Sequence, residues 1–470
     1  METENKQKKG FKIPHVYALL TCLIIICAIL TYIIPAGNYD TFVNADGRTL
    51  INPDTFHYVE QTPVTLLQTA GAVFQGLSEA ADIIFLVFIM GGSIGVMMST
   101  DALQAAIIRI AYAMKGKEKL IIPILMAAFA FLGCTIAAAE ELVVYIPIVI
   151  PLCLAIGFDS LTAAGIVLIG ASAGFMGSFM NPYTEGVAQG IAELPLFSGT
   201  GFRVCMLIVF FVVAVVMVWR YASKIQKNPE LSPVYEIDQA REGEKIEIDL
   251  DAHPFGLSQI MIVLGFLVAL VLLIIGSMKL GWWYEQFCAD FLIMSIWSAI
   301  WARYSVSKWG ETMAASMRDV AIGALVVGFA RGILVVLQDG NIIHTILRAC
   351  AVVLNGLPSS VAALGMYIVQ CLMNVLIPSG SGQAAVTMPL MAPLADLVGV
   401  TRQTACIAFQ IGDGLTNIFT PTSGYFMAFL GLAKIPWDKW MKAYGKLLAV
   451  EFLAGFVMVL IAHLINLGPF

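Results

Sequence analysis

From Val16 to Pro35 the chain runs for 20 residues without one charged side chain. At about 1.5 Å per residue, roughly 20 helical residues cover the ~30 Å hydrocarbon core of a bilayer. Uncharged runs recur from Val204 to Trp219 and from Leu257 to Met278. Inside lipid every backbone amide must be paired within the protein, which leaves helices or closed barrels. Barrel strands are short, about 9–11 residues, and alternate in polarity. The runs here are long and unbroken, so helices are expected. Composition agrees: 59% of the 470 residues are hydrophobic and 12% charged, about half the ~25% charged share of soluble domains. The predicted fold class is an all-α polytopic membrane protein, with the lipid bilayer as its first partner.

The motifs of other classes are missing. None of the nine cysteines forms a CxxC pair, and the histidines at 15, 57, 253, 344 and 463 lack metal-ligand spacing. The sequence contains no Walker loop or HExxH. We therefore expect no enzyme, catalytic residue, metal, cofactor or nucleic-acid partner. A small-molecule substrate would be moved at the expense of a gradient, with a proton or sodium ion as a coupling ion.

Charge fixes the expected orientation. Lys6, Lys8, Lys9 and Lys12 precede the first run, and no small-x-small site closes it, so it reads as a retained helix with a cytoplasmic N-terminus. Residues 37–61 carry Asp40, Asp46, Asp54 and Glu60 and read as external; residues 63–79 read as a segment lying flat on the outer surface. Basic loops at 109–119, 220–227 and 303–318 read as cytoplasmic, the last partly as an interfacial helix. A span at 82–100 then crosses inward and one at 320–337 crosses outward. Trp282, Trp283 and Tyr284 read as interfacial belt residues. Residues 222–255, the one long hydrophilic stretch, separate a first membrane repeat (1–221) from a second (256–470). The expected location is the inner (plasma) membrane.

The halves resemble each other. At an offset of 237, Asp82, Gly91 and Gly95 meet Asp319, Gly328 and Gly332; at 242, Pro147, Pro151, Gly157, Thr162 and Gly170 meet Pro389, Pro393, Gly399, Thr404 and Gly412. After a three-residue gap, Pro182 and Thr184 meet Pro421 and Ser423. Asp82 and Asp319 are expected at the starts of matched spans, as anions on helix N-termini. Because the matched spans are oriented oppositely, the prediction is two inverted-topology repeats, a frame for alternating access.

Each repeat carries an interrupted block. Thr135 to Glu141 precedes the short apolar run 142–156, and 162–179 stops at Asn181-Pro182-Tyr183-Thr184-Glu185-Gly186. Pro378-Ser379-Gly380-Ser381-Gly382-Gln383 precedes 384–398, and 405–419 is interrupted at Gly412-Asp413-Gly414 before Asn417 and Thr420-Pro421-Thr422-Ser423-Gly424. Such short runs read as re-entrant hairpins, each followed by a helix unwound midway, with backbone dipoles facing a cavity. Candidate substrate-binding residues are Glu140, Glu141, Asn181, Pro182, Thr184, Ser379, Gly380, Ser381, Gly382, Gln383, Asp413, Asn417, Thr420, Thr422 and Ser423. Asn181 and Asn417 are expected to line one central site.

PSGSGQAAVTMPLMAPLADLVG, GDGLTN and TPTSG resemble the YfcC/DcuC-type carriers of the wider ion-transporter superfamily. The resemblance implies a secondary transporter, often a homodimer, for C4-dicarboxylates or for arginine/ornithine-type exchange. The first tip, AAAEE, departs from the Ser-Asn-Thr tips of the sodium dicarboxylate branch.

Carboxylates at membrane depth must face a cavity, pair or stay protonated. Glu140, Glu141, Glu185 and Asp413 fall in the interrupted blocks, where Arg402 alone is basic and is expected near water. Arg331 lies inside a span and is available to pair with an inward carboxylate. The expected cavity is acidic and suits a basic amino acid, hence an arginine/ornithine-type antiporter. The alternative is proton- or sodium-coupled transport of a C4-dicarboxylate or other carboxylate.

Overall fold

The computed structural model describes residues 16–43, 49–52, 54–113, 116–181, 183–241, 254–280, 282 and 284–468. The basic N-terminal tail, Asp46, Pro182, Trp283 and residues 242–253 of the hydrophilic stretch lie outside them.

The first half comprises α1 (Val16–Ile33), two short two-stranded ribbons between residues 37 and 58, α2 (Leu66–Glu79), α3 (Ala81–Met98), α4 (Ala102–Ala113), α5 (Ile121–Ile136), α6 (Ile146–Ala155), α7 (Ser160–Met176), α8 (Glu185–Ile191) and α9 (Thr200–Lys227). A short helix, α10 (Tyr235–Gln239), lies in the hydrophilic stretch. The second half comprises α11 (Leu257–Ile275), α12 (Tyr284–Trp301), α13 (Val306–Asp339), α14 (Ile343–Asn355), α15 (Ser359–Leu376), α16 (Gly380–Leu397), α17 (Arg402–Thr416), α18 (Gly424–Leu432) and α19 (Trp437–Leu464). In one ribbon Gly37 pairs with Tyr58 and Asn38 with His57, antiparallel. Among the described residues, six helices are long and apolar enough to cross a bilayer. The protein is an all-α polytopic membrane protein.

Burial sorts the helices. Nearly every residue of α7 and α17 is buried, whereas Ile208 and Val212 of α9 and Leu264 and Leu267 of α11 are exposed. A helix apolar on all sides is either a core helix or a lipid-facing one. Here α7 and α17 form the core, and the exposed apolar faces are those that lipid would cover.

Small residues let the central helices approach. A Cβ on Gly174 of α7 would collide with the Ala130 carbonyl oxygen of α5, and one on Gly133 of α5 with that of Ala171 in α7. Backbone contact of this kind replaces the hydrophobic drive that lipid removes. The glycines matched at the offset of 237 also admit close neighbours. Gly91 and Gly95 of α3 meet Val320 and Ser316 of α13, and Gly328 and Gly332 of α13 meet Leu77 and Ala72 of α2.

Four expectations need correction. Residues 303–318 do not form a separate loop and interfacial helix before a span, because Val306–Asp339 is one helix of 34 residues, capped by the Ser305 hydroxyl at the Lys308 amide. Asp319 therefore lies within α13, exposed beside Arg318, and not at a helix start; Asp82 does stand in the first turn of α3. Residues 63–79, expected to lie flat on the outer surface, run instead alongside α13: the Thr62 hydroxyl donates to the Asp339 carbonyl, and Gly76 of α2 packs on Gly328 and Gly332. Finally, α17 is continuous through Gly412-Asp413-Gly414. Those glycines admit neighbours, Gly412 against Gln370 and Cys371 and Gly414 against Phe175 and Met176, and the interruption comes at residues 417–423.

Candidate functional site

Two tips and two breaks surround a cavity of about 290 Å³. At the first tip α5 ends on Ala137 in the left-handed region, φ 55°, and a 3₁₀ turn from Glu140 to Tyr145 leads into α6. The Ala139 amide donates to Glu141 Oε2 at 3.1 Å, and the Tyr284 hydroxyl donates to Glu140. At the second tip α16 already begins at Gly380, so Gly380 to Gln383 form its first turn and not a loop before it.

The first break, between α7 and α8, is held by Asn181. Its Oδ1 accepts from the amides of Tyr183 (2.9 Å) and Thr184 (3.2 Å), and its Nδ2 donates to Thr184 Oγ1 at 2.7 Å. Thr184 Oγ1 donates in turn to Gln410 Oε1 of α17 at 3.0 Å, and Gln410 Nε2 donates to the Phe175 carbonyl at 2.8 Å. Asn side chains close turns in this way because they carry both an acceptor and donors.

Behind the second break lies a buried polar chain. Asp413 Oδ1 accepts from Asn374 Nδ2 (2.6 Å) and Asn417 Nδ2 (2.8 Å). Asn374 Nδ2 also donates to Gln383 Oε1 at 2.9 Å, and Gln383 Nε2 donates to Gln370 Oε1 at 2.7 Å. The carbonyls freed at 418 and 419 accept from the indoles of Trp440 and Trp437. Side-chain donors from neighbouring helices make broken backbone tolerable at membrane depth.

Eight of the candidates line the cavity: Glu140, Glu141, Thr184, Ser379, Gly380, Ser381, Asn417 and Thr422. Gly382 faces an adjoining cavity of about 380 Å³. Asn181, Gln383, Asp413, Thr420 and Ser423 are buried behind the wall, and Pro182 lies outside the described residues. The expectation of one site lined by Asn181 and Asn417 together is corrected, since Asn181 is turned into its own break while Asn417 reaches the wall. Gln370, Asn374 and Gln410, which tie the breaks to α15 and α17, are missing from the sequence candidates. Their signal is an amide side chain inside an otherwise apolar helix.

The acidic balance also changes. Glu185 is paired with Arg203 of α9, Nε to Oε1 at 2.9 Å, with both side chains fully buried. Arg203 directly precedes the uncharged run 204–219 and looks in sequence like an interfacial end; only tertiary packing brings it to the break. Arg402 pairs with Glu193 (2.7 Å) and Asp396 (2.8 Å) at the start of α17, as expected near water. Among the described residues, the charged side chains on the cavity wall are Glu79, Glu140, Glu141 and Arg331, with Tyr284 beside them instead of in an interfacial belt.

Relatives match along nearly the whole chain. It is 32% identical to a protein of Escherichia coli K12 named "Putative basic amino acid antiporter YfcC", over 99% of each chain. It is 27% identical to an uncharacterized protein of Haemophilus influenzae, over 97% of this chain and 98% of that one. Two solved transporters overlay weakly. The YdaH transporter of Alcanivorax borkumensis does so at TM-score 0.43 and 16% identity, over 97% of this chain and 99% of that one. MtrF of Neisseria gonorrhoeae does so at 0.42 and 19%, over 97% and 96%. Residues 13–464 match the family model described as DcuC, C4-dicarboxylate anaerobic carrier, and the chain belongs to that family of multi-pass membrane transporters.

Proposed function

We propose that the protein is a secondary transporter of the inner membrane that exchanges basic amino acids of the arginine/ornithine type by alternating access. The observation that carries this reading is the carboxylate pair Glu140–Glu141 at the first tip, on the wall of a cavity of about 290 Å³. Neither carboxylate forms an ion pair among the described residues, so a cationic side chain entering the cavity would supply the missing charge. The name of the Escherichia coli relative supports the same substrate class. In this account residues 1–221 and 256–470 are inverted repeats, the N-terminus is cytoplasmic and the protein is a homodimer.

The second reading is proton- or sodium-coupled uptake of a C4-dicarboxylate. The family description and the Arg331 guanidinium on the cavity wall favour it. Thermal shifts of purified protein separate the two. A ligand at 100 times its Kd adds about 2.7 kcal/mol of stability. Arginine and ornithine should stabilise the protein, and fumarate and succinate should not; the opposite pattern would replace the first reading with the second.

A further inference from the structure

We infer that Arg331 is the carboxylate anchor of the transported amino acid, an inference that rests on the basic-amino-acid reading above. Arg331 Nε donates to Glu79 Oε2 at 3.0 Å. That is the one hydrogen bond its guanidinium makes among the described residues, which leaves both Nη groups of the fork without a protein acceptor there. Arg331 and Ser379 are the two residues that line both the 290 Å³ cavity and the adjoining 380 Å³ cavity. The fork therefore stands at the partition between the chambers, on α13 at the level where α2 ends and α3 begins.

The geometry suits one chemical class. A guanidinium binds a carboxylate through parallel N–H groups in a fixed fork. Glu79 balances the charge of Arg331 through Nε while the Nη edge stays available. Glu140 and Glu141 on the same cavity offer acceptors for ammonium or guanidinium groups. An α-amino acid with a basic side chain carries one carboxylate and two cations, which matches one fork and two carboxylates. An amine lacking the carboxylate would leave the fork unused.

The test compares arginine with agmatine, its decarboxylated form, and ornithine with putrescine, on full-length protein in detergent. Wild type should prefer each amino acid over its amine by about ten- to a hundredfold, the range for a hydrogen bond to a charged group. Arg331→Gln should remove that preference while leaving amine affinity within about twofold. Equal losses for arginine and agmatine would overturn the anchor and leave Arg331 a structural partner of Glu79. Binding of succinate, with neither amino acid bound by wild type, would overturn the substrate reading and the anchor with it. If Arg331→Gln does not fold, Glu79→Gln leaves Arg331 and its Nη edge in place and should keep or raise the preference for arginine over agmatine; a fall would overturn the inference.

Discussion

Among the buried charges, the Arg203–Glu185 pair is the most consequential single contact, because both groups are fully removed from solvent. Removing one partner of a buried pair strands the other, at a cost of about 3–5 kcal/mol, whereas replacing both with apolar residues is often neutral. Arg203→Met should therefore lower the melting temperature strongly, and Arg203→Met with Glu185→Leu should recover most of the loss. An additive double variant would show that the two residues are not coupled. The carboxylates Glu140, Glu141 and Asp413 are legible in the sequence as candidates, since few acids stand in apolar surroundings. The partner of Glu185 is not, because Arg203 is 18 residues away in sequence and reaches it only when α9 packs beside the first break.

At the scale of elements, the tips and breaks are legible from Gly, Pro, Asn and Thr clusters between short apolar runs. The role of Gly412 and Gly414 is not, because a glycine that unwinds a helix and one that admits a neighbour look alike in sequence. Their neighbours decide the matter: Gln370 and Cys371 on one side, Phe175 and Met176 on the other. The same reasoning predicts opposite outcomes for two glycine substitutions. Gly174→Ala drives a Cβ into the Ala130 carbonyl oxygen and should destabilise by about 1–3 kcal/mol. Gly445 of α19 has open space around its Cβ position, so Gly445→Ala should be neutral or stabilising by up to about 1 kcal/mol. Thermal melts of the two variants in detergent would check the contrast, and equal effects would contradict the packing account.

Across the whole molecule, the hydrophilic stretch ties the halves together on one side. Asp159, at the start of α7, accepts from Tyr221 (2.6 Å) and Ser232 (2.7 Å), and Asp238 accepts from the Ser160 amide at 2.8 Å. Arg241 pairs with Asp238 at 2.9 Å and also donates to the Ala433 carbonyl after α18. In the proposed orientation the basic residues before Asn228 put this side in the cytoplasm and the ribbons opposite. Single cysteines at Glu60 and Asn228 in a cysteine-free variant should react with an impermeant reagent from outside and inside respectively. Labelling of both in intact cells would reject that orientation.

Exchange of basic amino acids is read out by counterflow in proteoliposomes. Vesicles loaded with unlabelled ornithine should accumulate labelled arginine, saturably and without an imposed ion gradient, and Glu140→Gln with Glu141→Gln should abolish that accumulation while the protein still melts cooperatively. Arginine exchange that survives loss of both carboxylates, or uptake of succinate alone and only with a proton or sodium gradient, would contradict the account.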